Sequence, residues 1–204
     1  MNGKIVFLCL IVFFVVFFGR IAAANIVSNK LIKYLYMNDS THFNELRRSK
    51  LATTFIHKYN LRYIDLSKAM MEVNDKEVEA CVNELENMKL TINQKSAIYS
   101  RCFYYYLSKE DYKKAKKYYQ KNYDLDPDKY NPDMDRLYDI YINKGNKYLS
   151  EVLKKYDEAN GESKASYAVL LSKIYENMKD AENSEKYAQI AANFIEELKA
   201  ETQA

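Results

Sequence analysis

The chain has 204 residues with 31 basic and 28 acidic side chains, a formal charge of +3 that is well mixed along the sequence. Such a balance builds no basic field of the kind nucleic acid requires, so no nucleic-acid partner is expected. Tyr numbers 20, whereas Gly is 4, Pro is 2 and Trp is absent. So few residues that tolerate positive φ argue against β-hairpins and Gly-rich loops, and the Lys, Glu, Ala and Leu that remain are helix formers.

The first element is apolar. Ile5 to Phe18 is fourteen unbroken apolar residues, followed by Gly19, Arg20 and the small run Ala22-Ala23-Ala24. Residues 1–25 therefore read as an N-terminal transmembrane anchor or a signal peptide cut after the alanines. The anchor is preferred because apolar positions continue at helical spacing through Ile26, Leu31 and Leu35, where a cleavage region needs extended chain. This gives a single-pass cell-membrane protein, with secretion as the alternative. Orientation stays open, because Lys4 competes with Arg20, Lys30 and Lys33 under the positive-inside rule. The residue usage suggests a bacterium with an AT-rich genome.

From residue 26 to 204 the pattern repeats. Polar turns recur at Asn38-Asp39, Asn74-Asp75, Glu110-Asp111, Gly145-Asn146 and Lys179-Asp180, with spacings of 36, 36, 35 and 34 residues. Five residues before each turn's anchor stand Tyr34, Met70, Tyr106, Tyr141 and Tyr175. One helix–turn–helix per period of that length predicts a stack of helical hairpins. Within the third period, Tyr112, Ala115, Tyr119 and Tyr123 fall on one predicted helix face. Ser108 is the predicted cap of that helix, and Asn131-Pro132 predicts another helix start.

In that third period Tyr99, Tyr106, Ala115, Tyr119 and Pro127, with the phrase Glu110-Asp111-Tyr112, resemble the tetratricopeptide repeat family. The departures are Phe103 where that family prefers a small residue, and Asn122 in place of Ala. The fifth period matches more loosely, through Leu171, Tyr175, Ser184 and Ala191. The resemblance implies an all-α, right-handed α-solenoid of about five helix-turn-helix units. It also implies a concave face lined by first helices, where a protein or peptide partner docks. Matching positions here are Lys68, Glu72, Ser100, Tyr104, Ser108, Asp135, Asp139, Asn143 and Lys173. The partner is expected to be membrane-associated.

No catalytic constellation is legible. His42 and His57 are the two histidines, neither near a cysteine, and GxSxG, HExxH and P-loop patterns are absent. Catalysis is not predicted, and neither cofactor nor metal is expected. A regulatory or degenerate repeat enzyme is the remaining alternative, and convergent groove residues would be its mark. The segment from Asp124 to Asp135 has calcium-loop spacing, but Lys129 occupies the position that needs Gly, so an inter-repeat turn is expected. Lysines 113–121 are read as a solvated helix face, and Arg47, Arg48 and Lys50 as candidates for lipid headgroups. Cys81 and Cys102 are expected to act as small buried hydrophobes.

Overall fold

The computed structural model describes the backbone of residues 3–126 and 131–202, and the side chains of residues 13–14, 16–126 and 131–197. Pro127, the middle of the calcium-like segment, Cys9 and most side chains of the apolar leader therefore lie outside the described residues. Among the described residues the chain is all-helical, with no strand. It divides into two compact units, Met1–Thr91 and Ile92–Ala204.

The first unit holds α1 (Gly3–Tyr36), α2 (Ser40–Arg48), α3 (Lys50–Phe55), α4 (Lys58–Met71) and α5 (Asp75–Glu86). The second holds α6 (Ile92–Ser108), α7 (Tyr112–Tyr123), α8 (Pro132–Leu137), a π-helical turn (Tyr138–Ile142), α9 (Leu149–Glu158), α10 (Gly161–Asn177) and α11 (Ala181–Thr202). Among the described residues no helix is long and apolar enough to cross a membrane.

One backbone device makes the hairpins. Among the described residues Asn38, Val73, Glu110, Lys144 and Lys179 are the non-glycine residues with positive φ, between 54° and 62°, spaced by 35, 37, 34 and 35 residues. At four of these turns the next residue donates its N–H to a carbonyl five back: Asp39 to Tyr34, Asn74 to Ala69 and Asp111 to Tyr106 at 2.9 Å, and Asp180 to Tyr175 at 3.0 Å. The left-handed residue bonds three back, which completes a Schellman closure and satisfies the helix's last carbonyls. The same Asp or Asn then caps the following helix. Its side chain accepts the N–H of His42, Glu77, Lys114 or Asn183 at 3.1–3.2 Å. A single Asx residue thus ends one helix and starts the next, which is why the polar turns recur so regularly.

Two expectations shift by one position or more. The second cap is Asn74 rather than Asp75, so Ala69 and not Met70 takes the place before the turn. Asp111, not Ser108, caps α7; the Ser108 hydroxyl donates instead to the Tyr105 carbonyl at 2.8 Å. The Asn131-Pro132 start is as read, with Asn131 accepting from Asp133 and Met134.

Packing follows the same register. Eight and five residues before each cap, and four and seven after it, the helices of a hairpin face one another. These positions hold Leu31, Tyr34, Phe43 and Leu46, then Leu66, Ala69, Val78 and Cys81, then Phe103, Tyr106, Ala115 and Tyr118, and finally Ser172, Tyr175, Ser184 and Tyr187. Leu31, Phe43 and the second and third sets are buried, as is Tyr187. Phe103, which departs from the small residue of the resemblance, sits opposite Ala115, so a large residue is matched by a small one. In the last hairpin both positions are serines, and the Ser184 hydroxyl donates to the Ser172 carbonyl at 3.0 Å. Tyr106 stacks on Tyr118 with centroids 5.6 Å apart and planes 2° from parallel, and Tyr175 repeats this on Tyr187 at 5.6 Å and 2°. The buried tyrosine of α7 is therefore Tyr118, while Tyr123 is exposed, so the predicted face is rotated by about one residue.

The fourth turn differs. Gly145 donates to the Asp139 carbonyl, six residues back, because the π-helical turn inserts one extra residue.

Candidate protein-binding groove

The nine positions implied by the resemblance fall in both units. Lys68 and Glu72 close α4 in the first unit, with their charged groups 2.5 Å apart; Ser40 also donates to Glu72 at 3.3 Å. The Lys68 ammonium lies 5.7 Å from the centre of the Phe43 ring. The cleft these residues border holds about 10 Å³, room for one water and no side chain.

The other seven belong to the second unit. Ser100, Tyr104 and Ser108 follow helical spacing along α6, and Tyr104 is 38% exposed. Its ring meets Phe103 edge-on at 5.3 Å, and its hydroxyl bonds to Asn131. Burial raises the Tyr104 pKa, and the Asp133 charge adds to that. Asp135 accepts the Tyr119 hydroxyl at 2.8 Å, and Tyr119 stacks on Tyr138 with centroids 3.9 Å apart. Desolvation and that bond push the Tyr119 phenol well above its ordinary range, so it acts as a donor to Asp135 at every ordinary pH.

Asp139 works on the local chain. Its carboxylate accepts the Lys147 N–H at 3.1 Å, and a Cβ on Gly145 would collide with it. Asn177 of α10 donates to the Ile140 and Gly145 carbonyls at 2.9 and 3.1 Å, clamping the same loop. Asn143 is exposed at the end of the π-helical turn, its N–H bonded to the Tyr138 carbonyl. Lys173 pairs with Glu176 at 2.7 Å.

A larger concavity lies in the second unit, of about 420 Å³. Val169 and Lys173 of α10 form one wall and Ala188, Ala192 and Ile195 of α11 another, with Tyr112 and Tyr141 at the edge. Val169 is 45% and Ile195 50% exposed, although both are aliphatic. Glu110 and Lys173 mark it with opposite charges, and the Lys144 ammonium lies 4.9 Å from the Tyr112 ring centre. Of the nine expected positions only Lys173 lines this groove. Its apolar walls were missed because Ala188, Ala192 and Ile195 fall just outside the buried stripe of α11. Their i, i+4, i+7 spacing was the available signal.

The remaining polar clusters have structural tasks. His57 caps α4 through Nδ1, and His42 packs on Tyr34 while bonding to Asp39. Lys114, Lys117 and Lys121 lie over tyrosine rings of the α6–α7 hairpin at 4.9–5.9 Å, as cation–π neighbours of the packed face. Cys81 and Cys102 are buried thiols outside any disulfide, and desolvation pushes the Cys81 thiol up to about 12. Among the described residues no cluster of three or more His, Cys, Asp or Glu is placed to hold a metal ion. No protein family, curated protein or solved structure matches the chain.

Proposed function

We propose that this chain is a membrane-tethered helical-repeat scaffold of tetratricopeptide type, whose hairpins stack as a right-handed solenoid and bind a protein or peptide partner without catalysing a reaction. The observation that carries the tether is α1. It is one unbroken helix from Gly3 to Tyr36, and its later residues Val27 and Leu31 are buried in the first unit. The helix that carries the apolar run Ile5–Phe18 is thus continuous with the folded domain. The alanines at 22–24 are helical, whereas a signal peptidase needs extended chain.

The binding half rests on the groove of the second unit. Its volume lies within the roughly 300–1,000 Å³ of ordinary ligand clefts. Exposed Val169 and Ile195 beside Tyr112 and Tyr141 suit an apolar anchor from a helix or extended peptide.

Cleavage after Ala24 would spare Val27 and Leu31, so a secreted version would keep its core. N-terminal sequencing and membrane partitioning of the natively expressed protein separate the two. An intact Met1 in the membrane pellet supports the tether; a terminus at Asn25 in the exported fraction overturns it. For binding, proteins that co-purify with the wild type should be lost with Val169→Asp and Ile195→Asp, while far-UV circular dichroism is unchanged. Retention of all partners by both variants would remove the groove from the proposal.

A further inference from the structure

We propose that the end of the first unit nearest the apolar leader is a binding surface for anionic phospholipid headgroups, formed by the C-terminal turn of α3 and the start of α4. This rests on the tether reading above.

The geometry begins at Arg20, two residues beyond the apolar run. Its Nη2 donates to the Thr54 carbonyl at 3.3 Å, which holds the last turn of α3 beside the point where the leader ends. Leu51 lies one turn back on α3 and is 55% exposed. The α3–α4 turn passes through Phe55, Ile56 and His57 to Lys58.

Charge supplies the second observation. No acidic residue precedes Asp39, and none occurs from Leu46 to Ile64. The carboxylates of α4 and α5 nearest in the arginine network, Asp65, Glu77 and Glu84, are engaged, which leaves Glu45 as the acidic neighbour of Arg48 on α2. Asp65 takes Arg47 in a two-pronged bond at 2.7 and 2.6 Å, and Arg62 binds Glu84 at 2.8 Å and Glu77 at 3.3 Å. Arg20, Arg48, Lys50 and Lys58 are exposed and form no ion pair among the described residues. An exposed apolar side chain in a segment whose exposed cations are outside any ion pair among the described residues, at a tether's exit, has the composition of an interfacial membrane contact.

Length supplies the third. The fourteen unbroken apolar residues make roughly 21 Å of helix, so a hydrocarbon core of about 30 Å is spanned only when the segment through Ala24, with Arg20 in it, is drawn in as well. Seating that segment brings the adjoining surface to the bilayer and lets the Arg20 side chain snorkel to the phosphates. Leu51 then meets the acyl boundary while Lys50 and Lys58 meet anionic headgroups.

The absence of tryptophan provides the test. Leu51→Trp in the full chain gives a single reporter, and Met71→Trp a control at the far end of α4, where Met71 is also exposed. Each is reconstituted into vesicles of phosphatidylcholine alone or with phosphatidylglycerol, with flotation scored first. The expected result is flotation with both compositions, and a blue shift with quenching by brominated lipid only at position 51 and only with phosphatidylglycerol. That quenching should be lost at high salt or on adding Lys50→Glu and Lys58→Glu, with flotation intact. Flotation with the position-51 reporter water-like in both compositions overturns the headgroup surface and leaves the tether standing. Quenching that ignores salt and the reversals also overturns it, in favour of apolar contact alone. Failure to float overturns the tether reading and this surface together.

Discussion

The hairpin α4–α5 of the first unit and the hairpins α6–α7 and α10–α11 of the second share one turn and one register but not one chemistry. At the register positions α4–α5 buries Leu66 and Val78, then Ala69 and Cys81, aliphatic groups and a thiol. The other two place tyrosine on tyrosine, with lysines over the rings. Outside the core the first unit relies on a guanidinium–carboxylate network, Arg47 and Arg62 around Asp65, Glu77 and Glu84. The comparison teaches that the Asx turn fixes where two helices meet, and that the facing pair need only fill the gap. Phe103 with Ala115, Leu66 with Val78, and the bonded serines 172 and 184 are three solutions to one spacing.

The sharpest way to break that equivalence is to empty one pair. Phe103→Ala leaves alanine facing alanine, without the hydroxyl bond that serves the last hairpin. It should cost about 3–5 kcal/mol in urea denaturation. Adding Ala115→Phe returns the volume from the other side and should recover a substantial part of it. No recovery would show that the pair is not a matter of volume alone.

The network of the first unit is tested next. Asp65→Ala strands Arg47, whose side chain is 26% exposed, and removes one partner of Arg62. Because those guanidiniums keep some water and Arg62 keeps Glu84, the expected loss is discounted to roughly 1–3 kcal/mol. Its dependence on salt should be weaker than for the exposed pair Lys154–Glu158, which is worth close to nothing.

A smaller effect has the opposite sign. Val73 holds the left-handed turn position of α4–α5, where a β-branched side chain is strained, and Asn38 holds the same position after α1. Val73→Asn should stabilise by roughly 1 kcal/mol, seen as a raised urea midpoint with unchanged slope. Glu110→Asn should gain less, since Glu is unbranched at Cβ.

How much of this was legible follows from what each feature depends on. The turns, their period and the all-helical class could be read because a left-handed residue followed by an Asx cap is a local, short-range pattern. The side of α7 that packs could not, because Tyr118 and Tyr119 are both aromatic and only the ring of Tyr106 across the hairpin selects the first. The break between α2 and α3 at Ser49 was hidden for a related reason. A lone serine that caps α3 by accepting the Ala52 N–H reads like any polar surface residue. The π-helical turn left no trace, since its extra residue is absorbed in a period that already varies from 34 to 37. The groove was missed because it joins the α10–α11 hairpin to Tyr141 of the π-helical turn and to Glu110 and Tyr112 at the start of α7, elements that the period does not pair with that hairpin.

The smallest effect compares the caps themselves. Asp39 and Asp180 sit below the ordinary carboxylate value of 3.8, Asp39 chiefly through the His42 N–H and Asp180 chiefly through the Asn183 side chain, then its N–H. Asn74 performs the same closure with a side chain that does not titrate. A group whose pKa is lower in the folded state binds fewer protons there than when unfolded. Its contribution is therefore complete above the unfolded value and disappears as pH falls through the folded one. Above about pH 5 the aspartate caps should behave as Asn74 does, and below about pH 4 they should weaken while Asn74 holds. The double variant Asp39→Asn, Asp180→Asn should thus match the wild-type melting temperature at neutral pH, because Asn caps nearly as well as Asp. Its acid limb should be shallower. Coincident acid limbs would place the pH sensitivity on other carboxylates, with Glu151 first among them, since the Lys155 ammonium and then Arg136 also hold it below its ordinary value.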